Sequence, residues 1–353
     1  MKRFLSYGVA ALLMLGLFSC KKEETGAATG SVSIRFFTVG IQDTKATTPG
    51  DEVVEDGGGI ALDEGKPDLV ILLANAQGDI VSTYPGNNTS LESSSATQAV
   101  IQFSSLTPGN YTVYAFGNTR GLWDMTTTGD DTITPSGLTN LNTATQVEAL
   151  RFKPMDTSNG LSPKEGRLPV SAKGSLTVSA GGNGETYLEL LRCVAKVTAL
   201  IKNNTGGALQ LFNYMHTVMG ISPNSGYVIP HQSDFPDTPA NLVADPCTKF
   251  SNPDYTIDIS DEGSAPYDWY VFPSQGPYTV DISFTLFKDN VGGTRKDYVY
   301  SNLPVINWRA EDVLQLGRNQ HLTVSTYISK GITVSFNFAV NEWETHTEYV
   351  TFD

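Results

Sequence analysis

The feature that most constrains this chain is a two-residue rhythm of apolar side chains, repeated in short runs between turn residues. In ITVSFNFAV, Ile332, Val334, Phe336, Phe338 and Val340 share one face, and Thr333, Ser335, Asn337 and Ala339 share the other. In PGNYTVYAFGN, a Pro-Gly turn leads into Tyr111, Val113 and Ala115 on one side and Thr112, Tyr114 and Phe116 on the other. A side-chain period of two is that of a β-strand, and a strand apolar on both faces fits inside a sandwich. SVSIRFF (31–37), DLVILLANAQGDIVSTY, QAVIQFSSL, CVAKVTALIK, YTVDISFTLF and QHLTVSTYI extend the pattern, with Gly, Pro, Asn and Asp between runs. Helical periodicity is scarce, its best short candidate spanning Leu209 to Met219, and no fixed-period repeat is present. The pattern predicts an all-β fold of antiparallel β-sandwiches. Two in series suit the length, with boundary markers in the Pro/Gly-rich stretch 153–174 and in AGGNGE (180–185). The expected organisation is a signal peptide at 1–19, a tether at 20–30, and sandwiches at 31–185 and 186–353.

The N-terminus carries a second signal. Lys2 and Arg3 precede an almost uncharged apolar stretch from Phe4 to Phe18, too short to span a bilayer and suited to a signal-peptide core. Leu17-Phe18-Ser19-Cys20 resembles a bacterial lipobox, in which a small residue precedes an acylated cysteine. Acylation of the Cys20 thiol and of the freed amine would supply the several chains that stable anchoring needs. Lys22-Glu23-Glu24 resembles a short lysine-plus-acidic export signal to the outer face of the outer membrane. The expected location is therefore the outer membrane surface. Residues 43–66, rich in Gly and acids, read as a loop.

Charge and motif content exclude several functions. The net charge is −14, and loss of Lys2 and Arg3 with the leader makes it −16, which leaves no electrostatic footprint for nucleic acid. Cys193 and Cys247 form no CxxC pair and would bridge only if the fold brings them together. The histidines at 216, 231, 321 and 346 lack HxxxH or HExxH spacing, and no GxSxG elbow or phosphate loop occurs. The expectation is a non-enzymatic protein with no metal and no cofactor. Of the four tryptophans, Trp269 and Trp343 adjoin strand runs and read as core or strand-end residues. Trp123 and Trp308 sit in loop-like surroundings, where aromatic faces would serve a surface glycan-binding lipoprotein, the alternative function.

The lipobox, LTPGNYTVYAFGN, LLRCVAKVTALIKN, and LGRNQHLTVSTYISKGITVSFNFAVNEW together resemble the type V fimbrillins, fimbrial lipoproteins of anaerobic Gram-negative bacteria. The most specific parts are L-x-R-x-x-A-K-V (Leu190 to Val197) and R-N-x-x-L with a later V-x-x-W (Arg318 to Trp343). The resemblance implies two transthyretin-like sandwiches, other fimbrial subunits as partners, and assembly by β-strand addition as stalk, tip or anchor. It implies that stalk subunits are cut after a basic residue, for which Lys45 and Arg35 stand available; plain surface charges are the competing reading. It also implies a donor strand near the C-terminus. Residues 332–340 read as an ordinary strand of the second sandwich, leaving Tyr349, Val350, Thr351 and Phe352 as the exchangeable segment.

Overall fold

The computed structural model describes residues 28–38, 62–63, 66–95, 98–128, 130–156, 160–161, 167–219, 224–231, 247–250, 257–275, 278–287, 295–305, 315–329 and 333–342. Cys20, Lys22, Glu23, Glu24, Lys45, Trp308, Trp343 and Tyr349 to Phe352 lie outside the described residues.

The strands before Cys193 are β1 (Gly30–Thr38), β2 (Leu62–Asp63), β3 (Lys66–Pro67), β4 (Leu69–Ala74), β5 (Ile80–Tyr84), β6 (Thr89–Ser94), β7 (Gln98–Leu106), β8 (Gly109–Gly117), β9 (Met125–Thr126), β10 (Arg151–Phe152), β11 (Val170–Val178) and β12 (Asn183–Arg192). Eight of them follow the order β5-β4-β8-β11-β12-β1-β7-β6. β11 and β12 pair only at Val170 with Arg192 and Ser171 with Leu191, far from the turn that joins them. The strands part toward that turn, so one strand order folds into two facing layers. Ile34, Phe36, Ile71, Ile101, Phe103 and Val113, all at 0% exposure, fill the space between the layers. This is the burial that period-2 runs demand.

The second apolar face of β8 has a separate cover. Tyr114 and Phe116, with Leu72 and Ala74 of β4, meet Leu122, Trp123, Leu138 and Phe152 from the excursion between β8 and β11. That excursion includes the short helix α1 (Ala144–Glu148), started by a Thr143–Gln146 capping box. Tyr270 and Phe272, from the far side of the chain, complete the same cluster.

Beyond Cys193 come β13 (Ala195–Asn204), β14 (Leu209–Met219), β15 (Cys247–Phe250), β16 (Ile257–Ile259), β17 (Ser264–Val271), β18 (Ser274–Gln275), β19 (Tyr278–Phe287), β20 (Arg295–Val305), β21 (Gln315–Leu316), β22 (Gln320–Ser329) and β23 (Thr333–Glu342). A sheet β17-β13-β22-β23 and a sheet β15-β14-β19-β20, with β16 beside β14, enclose Val197, Leu211, Val280, Phe284, Leu322 and Val324. The all-β expectation is met. The helical reading of Leu209 to Met219 is corrected to strand β14. A register shift between Phe212 and Met215, with Asn213 at φ 48°, inserts a bulge. The inward residues then run Leu209, Leu211, Tyr214, and the three-residue step imitates a helix.

Gly30 marks where β1 enters. It is buried, and a Cβ there would lie 2.6 Å from both the Ser179 carbonyl oxygen and Val178 Cγ1. Gly30→Ala is expected to cost about 1–3 kcal/mol in chemical denaturation, because backbone must yield. Gly207→Ala, where a Cβ meets nothing within 4 Å, is the control and is expected to stay within about 0.5 kcal/mol.

Candidate assembly site

The site that strand-exchange chemistry would use is the seat of β1. Its sequence alternates small polar residues with Val32, Ile34 and Phe36, which are 1%, 0% and 0% exposed. β1 pairs in parallel with β12, from Ser31 opposite Asn183 to Thr38 opposite Leu190, and antiparallel with β7, from Gly30 opposite Leu106 to Phe37 opposite Gln98. Both backbone edges are thus satisfied, which places the first of the described strands inside a layer. Without β1, the facing edges of β7 and β12 would lose their partners above an apolar slot, the arrangement that accepts an added strand.

On the outer face, side chains lace β1 to β12. Ser31 Oγ donates to Asn183 Oδ1 at 2.5 Å, and Arg35 Nη2 meets Glu185 Oε1 at 3.1 Å while its guanidinium lies 5.5 Å from the Tyr187 ring centre. As a processing residue, Arg35 is poorly presented: its peptide bonds belong to a strand paired on both sides, so cleavage requires local opening. β23 pairs with β22 along its whole length, Gln320 opposite Glu342 to Ser329 opposite Thr333, and holds a sheet edge as an ordinary strand of the second unit.

The two motif segments meet. Arg192 Nη1 donates to Asn319 Oδ1 at 2.7 Å, and the Asn319 amide donates to the Val194 carbonyl at 3.1 Å. Arg318 Nη1 donates to Ser171 Oγ at 3.1 Å, and its Nη2 donates to the Tyr227 carbonyl. Arg192, Arg318 and Asn319 are 3%, 9% and 2% exposed, and guanidinium groups at such depth persist only where hydrogen bonds meet them. Close by, Lys196 Nζ pairs with Asp268 Oδ2 at 3.2 Å. These residues lock the first sheet to the start of the second.

The aromatic-platform reading of Trp123 is overturned. Trp123 is 7% exposed and packs edge-on against Phe152 at 5.6 Å and Phe272 at 6.1 Å between ring centres. Its loop-like sequence is irregular backbone pressed onto a sheet. Trp269, at 3% exposure, is core as expected. Cys193 is a free buried thiol, 3.5 Å from Ser171 Oγ. A cleft of about 460 Å³ opens among Thr126, Glu148, Arg151, Tyr227 and His231, residues with no shared sequence motif. Its charged groups Arg151 and Glu148 already have partners. Arg151 lies 4.3 Å from the Tyr227 ring centre, and Glu148 accepts from Tyr114 at 2.5 Å and pairs with Lys173 at 2.9 Å. The Tyr114 hydrogen bond holds the Glu148 carboxyl below its usual range against the opposing effect of burial, with Lys173 and His231 assisting. Among the described residues, no group of three His, Cys, Asp or Glu converges to hold a metal.

Fold and site define an all-β protein whose distinctive chemistry is the pairing of strands. Residues 56–349 match the family described as fimbrillin-A associated anchor proteins Mfa1 and Mfa2, and the chain belongs to that family. Its role is that of a fimbrial structural or anchor protein. No curated protein matches by sequence. Among solved structures, a proposed cell adhesion protein from Parabacteroides distasonis ATCC 8503 shares 13% identity and a TM-score of 0.56, covering 92% of this chain and 99% of that one. Another from Bacteroides eggerthii DSM 20697 shares 13% identity and a TM-score of 0.52, covering 90% and 97%. These two likenesses show the fold. The fimbrial anchor protein Mfa2 from Porphyromonas gingivalis also matches, at 10% identity and a TM-score of 0.38, over 90% and 100%.

Proposed function

We propose that this chain is a non-enzymatic fimbrial anchor, held on the outer membrane surface by lipid on Cys20 and joined to other fimbrial subunits by strand addition. The observation that carries the anchor reading is the match of residues 56–349 to a family described as anchor proteins, and the pairing of β1 on both edges supports it by shielding Arg35 from cleavage. In an anchor, β1 is a resident strand that follows the tether in sequence. Lys22, Glu23 and Glu24 would direct export, Lys45 and Arg35 would stay uncut, and Tyr349 to Phe352 would be the segment offered to a neighbour. We read the sheet systems as two domains divided between Arg192 and Ala195, slightly beyond the division near 185 that turn residues suggest.

The test is palmitate labelling together with N-terminal and intact-mass analysis of the protein from its native membrane. The wild type is expected to begin at an acylated Cys20, and Cys20→Ala is expected to lose the label and leave the membrane fraction. Label retained in Cys20→Ala would overturn the lipid assignment. A mature chain beginning at Ala46 would make this a stalk subunit.

A further inference from the structure

Parallel strand pairs are the exception in sheets that are otherwise antiparallel, and in this chain they stand on the covalent path from tether to body. β1 follows the tether and runs parallel to β12 through eight residue pairs. β12 continues through Cys193 and Val194 into β13, which itself runs parallel to β22 through nine pairs. Tension drawn between the membrane and the rest of the fimbria enters β1 at Gly30. It leaves through the opposite end of the neighbouring strand, at Arg192.

We propose that the β1–β12 pair is a mechanical clamp that carries this tension in shear. In that geometry the two strands are pulled lengthwise in opposite directions, so their hydrogen bonds resist together. Were both forces applied at one end, the bonds would open one at a time, each weak alone. The clamp has three reinforcements. β7 grips the other edge of β1. The side chains of Val32, Ile34 and Phe36 are buried in the sandwich core and must be dragged across it. The Ser31–Asn183 and Arg35–Glu185 contacts cross the sheared seam itself. The inter-unit bonds of Arg192 and Arg318 pass the force into the second sandwich at the strand end where it arrives.

The inference rests on the membrane-tether reading for its purpose, while the clamp itself is a property of the fold. Its test is single-molecule pulling on the soluble full-length chain, with bioorthogonal handles at chosen positions. Handles at positions 28 and 207 load β1 and β12 in shear, since residue 207 lies just beyond β13. Handles at positions 28 and 180 lie at one end of the same pair and peel it. The expected result is a rupture force roughly twofold or more higher for 28/207 than for 28/180 at equal loading rate, because forced opening follows the unfolding barrier. Arg35→Ala, on the outer face, is expected to lower the 28/207 force while leaving circular dichroism unchanged. Equal forces in the two geometries would overturn the clamp and leave palmitate labelling untouched. A failed labelling experiment would leave the force asymmetry standing and remove its link to the membrane.

Discussion

Phe36→Ala is expected to destabilise the first sandwich by about 3–5 kcal/mol, the usual range for emptying a phenylalanine site in a well-packed core. Phe36 is 0% exposed in the C-terminal half of β1, among side chains of both layers. β1 is an inner strand of its layer, so the loss falls where β7 and β12 both depend on it. Urea denaturation followed by circular dichroism measures the effect. Phe37→Ala, one residue on and pointing out of the sandwich, is the control and is expected to cost less than about 1.5 kcal/mol. Equal effects at the two positions would mean that β1 is not seated in the stated register.

Trp123→Ala is expected to cost a similar 3–5 kcal/mol and to lower the melting temperature by on the order of 10 °C. The ring holds the excursion between β8 and β11 against the sheet, and its neighbour Phe272 follows directly on β17 of the second sandwich. The variant is therefore expected to melt with the two sandwiches less tightly coupled, seen as a broader calorimetric transition. Unchanged melting together with lost oligosaccharide binding would return Trp123 to the role of an exposed sugar platform.

What the sequence made legible follows the range of each signal. Period-2 alternation is local, so β1, β4, β8, β13 and β22 could be read directly from their own residues. Partners are not local. Nothing within SVSIRFF announces that Arg35 will meet Glu185, 150 residues away, or that the pairing there is parallel. The bulge at Asn213 broke the alternation of β14 and gave a false helical spacing. Trp123 looks loop-like in sequence because burial by an irregular cover leaves no periodic trace. The two family motifs were visible as letters, but the reason for them, a hydrogen bond between Arg192 and Asn319 across 127 residues, appears only once the sheets are assembled.

The pairing of β1 with β12 also sets the order of events as the chain folds. The first strand cannot gain its parallel neighbour until residues 183–192 have emerged, so this contact carries a long loop-closure cost. Until then the chain holds an incomplete sandwich, with the edge of β7 open to any strand that fits its register. While the chain folds, the resident β1 and a foreign strand compete for one vacancy. The resident holds the advantage of being covalently at hand, a high effective concentration that a second molecule must match.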